Sequence, residues 1–249
     1  MAYSAVFFDL FDTLVRFERQ RLPEIEVNGR VVRSTAGHVH AVLVGAAPQV
    51  TLEQCHAALL ASWQEAERLR AIDHREVPAR DRFAVFFERL GLDAGTLPAG
   101  LDVALIDAHR RELAKAASFP AHHGPLLARL AHRYRLAVVS NFDYSPTALA
   151  ILETAGVRDL FATIVVSDEV GWRKPRADIF QEALRRTGVE PHHTLFVGDR
   201  IDIDVVGAHA VGMDAAWINP GREPLPPGIA PPSYEIRDLA DLEGIVDTT

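Results

Sequence analysis

Short apolar runs, each closed by polar or turn-forming residues, recur along the chain at Ala5–Phe8, Leu136–Ser140, Ile164–Val166, Leu195–Val197 and Ala215–Ile218. They are continuous rather than alternating, the pattern of strands covered on both faces of a parallel sheet. Helical patterns lie between the later runs. Gly124–Arg133 precedes the second. Ser145 as N-cap with Pro146 at the first helical position opens a helix that carries Leu149 and Leu152 and ends at Gly156. Pro175 to Thr187 forms another, stopped by Gly188. This alternation predicts an α/β core built on a Rossmann-like parallel sheet.

The stretch from residue 17 to 117 has a different texture. "IEVNGRVV" places β-prone arms around Asn28-Gly29, a pair suited to a type I′ hairpin turn. Helices follow: Thr51 and Gln54 make a capping box opening a helix through Leu69, then Arg80–Leu90 and Leu101–Ala117. The pattern predicts a core domain of residues 1–16 and 118–249, interrupted by a mainly α-helical cap domain over residues 17–117. No repeat is present, and Pro220 to Pro232 reads as an irregular surface segment.

Composition changes this picture little. Hydrophobic residues make up 48% of the 249, enough for a packed core. A formal charge of −8 argues against a nucleic-acid partner, which needs a basic face to displace counterions. The lone Cys55 cannot build a disulfide framework or a multi-thiolate metal site. The N-terminal pattern lacks a signal sequence and no apolar stretch is long enough to span a membrane, so a cytoplasmic protein without a membrane partner is expected. The oligomeric state has no signature. Of 26 basic residues only Lys115 and Lys174 are lysine, which draws notice to any lysine placed near a strand end.

In an open parallel sheet, functional groups gather at the carboxyl ends of the strands. Those ends carry Asp9, Ser140-Asn141, Lys174 and Gly198-Asp199. A carboxylate, a hydroxyl with an amide, an ammonium and an acidic cluster together can hold a phosphate and a divalent cation. The stretches that carry them are "DLFDT" (Asp9–Thr13), "VVSN" (Val138–Asn141), "RKP" (Arg173–Pro175) and "VGDRIDIDVVGA" (Val197–Ala208). In order and spacing they resemble the four motifs of the haloacid dehalogenase (HAD) superfamily of hydrolases, and in particular the subfamily with a helical cap inserted after the first motif.

The resemblance implies an enzyme, a hydrolase in which Asp9 attacks as nucleophile and Lys174 neutralises Asp9 and the substrate anion. It implies that Ser140, Asn141 and Thr13 bind substrate, although Thr13 serves a turn equally well. It implies Mg²⁺ as cofactor, held by Asp9, the backbone carbonyl of Phe11 and Asp199, with Asp204 acting through water. Asp202 fits a solvated position, and Arg200 departs from the small polar residue usual beside the metal ligand.

One position breaks the pattern. Many relatives carry a second aspartate two residues after the nucleophile, which protonates the leaving group and later activates water. Here it is Phe11, and Asp12 sits where a turn residue belongs. An aromatic residue at this place resembles the 2-haloacid dehalogenases, whose halide leaves without a proton, whereas the acidic cluster resembles the phosphatases. Three functions follow: a Mg²⁺-dependent phosphatase acting on a small phosphorylated metabolite, a dehalogenase acting on a halogenated acid, or a catalytically weak binding or regulatory protein. Arg30 and Arg33 are candidates to hold a substrate carboxylate. His38, His40, His122 and His123 are candidates for a borrowed acid, each with a plain surface or core role as the alternative.

Overall fold

The computed structural model describes residues 3–246. Strand β1 (Ala5–Phe8) and the two-residue β2 (Arg16–Phe17) precede hairpin strands β3 (Glu24–Val27) and β4 (Arg30–Arg33). Helices α1 (Ala36–Leu43), α2 (Leu52–Asp73), α3 (Ala79–Arg89) and α4 (Leu101–Ala116) follow, then the two-residue β5 (Ala117–Ser118). The chain then runs through α5 (His123–Ala131), β6 (Arg135–Ser140), α6 (Ser145–Thr154), β7 (Thr163–Val166) and the short α7 (Ser167–Val170). It closes with α8 (Ala177–Thr187), β8 (Thr194–Gly198), α9 (Val206–Ala210), β9 (Asp214–Ile218), β10 (Tyr234–Ile236) and α10 (Leu242–Val246). The chain divides into two compact units, Met1–Phe17 with Ser118–Thr249, and Glu18–Ala117.

The first unit holds a six-stranded sheet in the order β10-β9-β8-β1-β6-β7, with every pairing parallel. The apolar runs explain it, because all four residues of β1 are buried, as β1 has strands on both sides and helices on both faces. The chain builds rightward from β1 to β6 and β7, then returns to β8 on the other side. That reversal opens a crevice at the carboxyl end of β1, where a doubly wound sheet binds its ligands. Phe7, Phe180, Phe196 and Trp217 fill one face, with the Phe180 and Phe196 rings 5.0 Å apart.

Three local readings change. β10 lies outside the predicted strands: Tyr234-Glu235-Ile236 is short, half polar and at the sheet edge, so no apolar run marks it. Ser145 is not the N-cap of α6 but its first residue, and Tyr144 takes the extended cap position. The Ser145 amide donates to Asp168 at 2.7 Å and its hydroxyl donates to the same carboxylate, so the cap comes from α7. Helix α8 begins at Ala177, two residues after Pro175.

In the second unit the β3–β4 register pairs Val27 with Arg30 across Asn28 and Gly29, both at positive φ, as a type I′ turn requires. The Thr51–Gln54 capping box forms in both directions. Helices α1 to α4 enclose Leu43, Cys55, Phe83, Phe86 and Leu105. They also bury His109, whose Nδ1 lies 2.5 Å from Thr35 Oγ1. Burial, then the nearby Arg110 and Arg82, push this imidazole well below its usual range. Unfolding therefore lets His109 gain a proton as the pH falls through the ordinary histidine value of about 6.5. Stability should be fully present above that pH and decline below it by up to about 1.4 kcal/mol per unit. Urea denaturation at pH 5 and 7.5 should show a shallower acid-side slope in His109→Gln than in the wild type.

Candidate active site

Asp9 follows β1 directly, and its amide donates to the Val197 carbonyl at 2.9 Å, which extends the β1–β8 ladder one residue into the crevice. Lys174 arrives from the loop after α7. The side chain of Asn141 holds it there: Asn141 Oδ1 accepts from the Lys174 amide at 2.7 Å, and Asn141 Nδ2 donates to the Lys174 carbonyl at 3.0 Å. The Lys174 side chain is almost completely buried. Its Nζ donates to Asp9 Oδ1 at 2.6 Å, forms a 2.7 Å ion pair with Asp204 Oδ1 and stands 5.2 Å above the Phe196 ring.

Asp204 comes from a π-helical turn, Ile201–Val205, that feeds α9. This widened turn directs its carboxylate back toward β8, where Asp204 Oδ2 accepts from the Arg200 amide at 3.0 Å. Gly198 is required by that approach, because a methyl group on it would overlap the Asp204 side chain. Gly198→Ala is therefore expected to displace Asp204 and cost about 1–3 kcal/mol, measurable by urea denaturation. Gly207 is a second close approach: a methyl there would overlap the Phe180 ring and lie 3.1 Å from Pro175 Cα. Asp199 is half-buried, and its carbonyl accepts from Trp217 Nε1 at 2.8 Å.

These groups strain one another electrostatically. Asp9, Asp199 and Asp204 each place a carboxylate oxygen within 4.8 Å of the others, and the Lys174 ammonium bonds two of them. Burial, only partly offset by Lys174, pushes Asp9 up to about 6. Burial, then the Asp9 and Asp204 charges, push Asp199 up to about 8. Burial alone would lower Lys174, but Asp204 and Asp9 reverse this and hold it above its ordinary value. With all three acids ionised the group carries a net charge of −2, the balance a divalent cation would meet.

The cleft of about 280 Å³ above these residues is lined by Asp9, Phe11, Asn141, Lys174, Asp199 and Asp204, with Asp12, Arg173, Arg200 and Ile203 completing its wall. Thr13 and Ser140 do not line it. Both are buried, and the Oγ1 and Oγ atoms have no hydrogen-bond partner among the described residues. Phe11 sits against Phe142 and Phe17, at ring separations of 5.1 and 6.1 Å. Its carbonyl accepts no hydrogen bond among the described residues. Asp12 takes φ +60°, and its Oδ1 accepts from the Phe17 amide at 2.9 Å, which makes it a turn residue. Arg200 pairs with Asp202 at 2.9 Å, both half-exposed.

Sequence reasoning missed the supports of this site. Ser167 exchanges hydrogen bonds with the Phe142 backbone, Asp168 caps α6, and Trp217 fixes Asp199, each from an element outside the recognised motifs. Ser167 and Asp168 follow β7, so the strand-end rule could have found them. Nothing in the sequence marks Trp217.

Residues 3–212 match the sequence profile of the haloacid dehalogenase-like hydrolases, so the chain belongs to that family and is a hydrolase. Among named relatives, it is 30% identical over 175 residues to YfnB of Bacillus subtilis, covering 70% of this chain and 71% of YfnB. The magnesium-bound crystal structure of YfnB superposes with a TM-score of 0.63 at 23% identity, over 99% of this chain and all of that one. The pyrimidine 5′-nucleotidase YjjG of Escherichia coli is 30% identical over 166 residues, 66% of this chain and 69% of YjjG. A 2-haloacid dehalogenase from Pseudomonas syringae shares the fold at a TM-score of 0.73 and 24% identity, over 99% of both chains. Among the described residues, no helix is long and apolar enough to cross a membrane.

Proposed function

We propose that the protein is a Mg²⁺-dependent phosphatase acting on a small phosphorylated substrate through an aspartyl-phosphate at Asp9. The observation that carries this reading is the crowding of three carboxylates, two of them buried, around one buried ammonium in the crevice at the carboxyl end of β1. Displacement of a halide from carbon needs no cation to balance a phosphate, and such a site has no use for three crowded carboxylates. The magnesium in the YfnB structure and the nucleotidase activity in the name of YjjG agree with this choice.

The donor set fits the ion. Asp9, Asp199 and the free carbonyl of Phe11 would hold Mg²⁺, all hard oxygen ligands. Asp204, whose oxygens already face Lys174 and the Arg200 amide, would act from behind through water. When bound, the ion supplies positive charge to the phosphoryl oxygens.

The chain's own residues supply the rest. Lys174 takes Asp9 Oδ1 and leaves Oδ2 to attack phosphorus. The new Asp9 O–P bond forms as the bond to the leaving oxygen breaks, and water then cleaves the acyl phosphate to free phosphate and restore Asp9. Asn141 acts on this step by holding Lys174 in place. Thr13 and Ser140, whose hydroxyls are buried and lie outside the cleft lining, support the loops behind the site rather than meeting the phosphoryl group directly. The Glu18–Ala117 unit, inserted after the first motif, is where we place substrate choice.

No acid faces the leaving group at Phe11, and Asp12 is held by the Phe17 amide. The leaving oxygen therefore departs without a proton from this position. The expected result is a steep dependence on leaving-group basicity: p-nitrophenyl phosphate should turn over about 10²–10⁴-fold faster than simple alkyl phosphates. Phe11→Asp should narrow that gap. The deciding assay is p-nitrophenyl phosphate hydrolysis with and without Mg²⁺, beside chloride release from 2-chloropropionate. Metal-free chloride release with no phosphatase activity would replace this reading by the dehalogenase one, for which Phe11 is the favourable residue.

A further inference from the structure

Away from the cleft, α5 opens on two adjacent histidines, and a carboxylate from the far end of the chain meets them. His122 Nε2 lies 2.9 and 3.1 Å from the two oxygens of Asp238. The His122 and His123 rings meet edge to face at a centroid distance of 4.5 Å. One ligand atom from each of His122, His123 and Asp238 falls within 4.8 Å of the others. We infer that these three residues form a binding site for a borderline-soft divalent cation of the zinc type.

The details favour a metal over a simple ion pair. His123 is buried, and its Nδ1 lies 2.9 Å from the Leu14 carbonyl. A carbonyl can only accept, so Nδ1 carries the proton and Nε2 keeps its lone pair. This is the orienting contact that metal-ligating histidines carry on their other nitrogen. His123 Nε2 has no hydrogen-bond partner among the described residues.

Asp238 is also prepared. Its Oδ1 caps the 3₁₀ turn Leu239–Asp241 by accepting from the Ala240 amide at 2.9 Å, which fixes the carboxylate. Its Oδ2 meets only His122. The His122 nitrogen and these oxygens now stand at hydrogen-bond distance, and opening that gap by a few tenths of an ångström sets both at about 2.0–2.2 Å from one tetrahedral ion. Two imidazoles and a carboxylate select zinc, cobalt or nickel over magnesium, which prefers oxygen alone. His122 is half-exposed, so solvent can reach the ion and complete its coordination.

Zinc titration by calorimetry in excess Mg²⁺, with Asp199→Asn to separate any binding at the Asp9–Asp199 cluster, tests the site. Co²⁺ absorption serves as a second readout, because nitrogen ligation in low coordination gives a far stronger visible band than an all-oxygen site. The wild type should bind one zinc ion and show that band. His122→Gln and Asp238→Asn should each weaken binding by about tenfold or more. Both variants should fold, since His122 is half-exposed and asparagine preserves the cap. Asp199→Asn should bind zinc as the wild type does. Absence of zinc binding, unchanged affinity in both His122→Gln and Asp238→Asn, or loss of binding in Asp199→Asn would each overturn the inference.

Discussion

Asp9→Asn should lower phosphatase turnover by about 10⁴-fold or more while leaving the protein folded. Asparagine keeps the shape of the side chain and an oxygen for Lys174, but its amide is no nucleophile. The substitution also removes one of three crowded negative charges. Burial that pushes the Asp9 carboxyl up to about 6 no longer acts, so the metal-free protein should melt no lower than the wild type. Steady-state kinetics and a thermal melt check the two halves together. Residual activity above a tenth of the wild-type value would mean that another group attacks phosphorus.

Lys174→Met should be the most damaging substitution for stability. The side chain is sequestered between Asp9 and Asp204, and methionine preserves its length and most of its apolar contact. What disappears is the ammonium that bonds both of these acids directly. Breaking a buried ion pair from one side costs about 3–5 kcal/mol, which for a chain of this size lowers the melting temperature by roughly 6–20 °C. Mg²⁺ should recover part of the loss, because it supplies positive charge to the same carboxylates. A melting temperature within about 2 °C of the wild type would show that the fold does not depend on the Lys174 charge.

Much of this arrangement is legible in the sequence because two simple rules act together. Continuous apolar runs mark strands that are covered on both faces, and a parallel sheet sends the residues after those strands to one edge. Asp9, Asn141 and Asp199 each follow a strand, which is how residues 190 positions apart come to share one cleft. Lys174, which the same rule picks out beyond its strand, reaches the cleft from the loop after α7, whereas Asp204 lies farther from β8 and is marked by the motif pattern.

What stays hidden is held by geometry that no local pattern encodes. Ser145 has the sequence of an N-cap, but Asp168 takes over the capping because α7 folds beside it. Asn141 looks like a substrate ligand, yet both its polar atoms meet the Lys174 backbone. Strand β10 escapes because an edge strand of three residues needs neither a long apolar run nor alternation.

The absence of an acid at Phe11 has a consequence for both halves of the reaction. The residue that would protonate the leaving group is also the one that would activate water against the acyl phosphate. With a good leaving group the first half needs little help, whereas the second half still lacks its base. The phosphorylated enzyme should therefore accumulate. The most direct measurement is mass spectrometry on protein mixed with p-nitrophenyl phosphate and Mg²⁺ and quenched in acid within the first turnovers. The account predicts a phosphoryl group on the peptide containing Asp9, formed in a burst of p-nitrophenol and reduced in Phe11→Asp. Steady release of phosphate with Asp9 unmodified and no burst would contradict it.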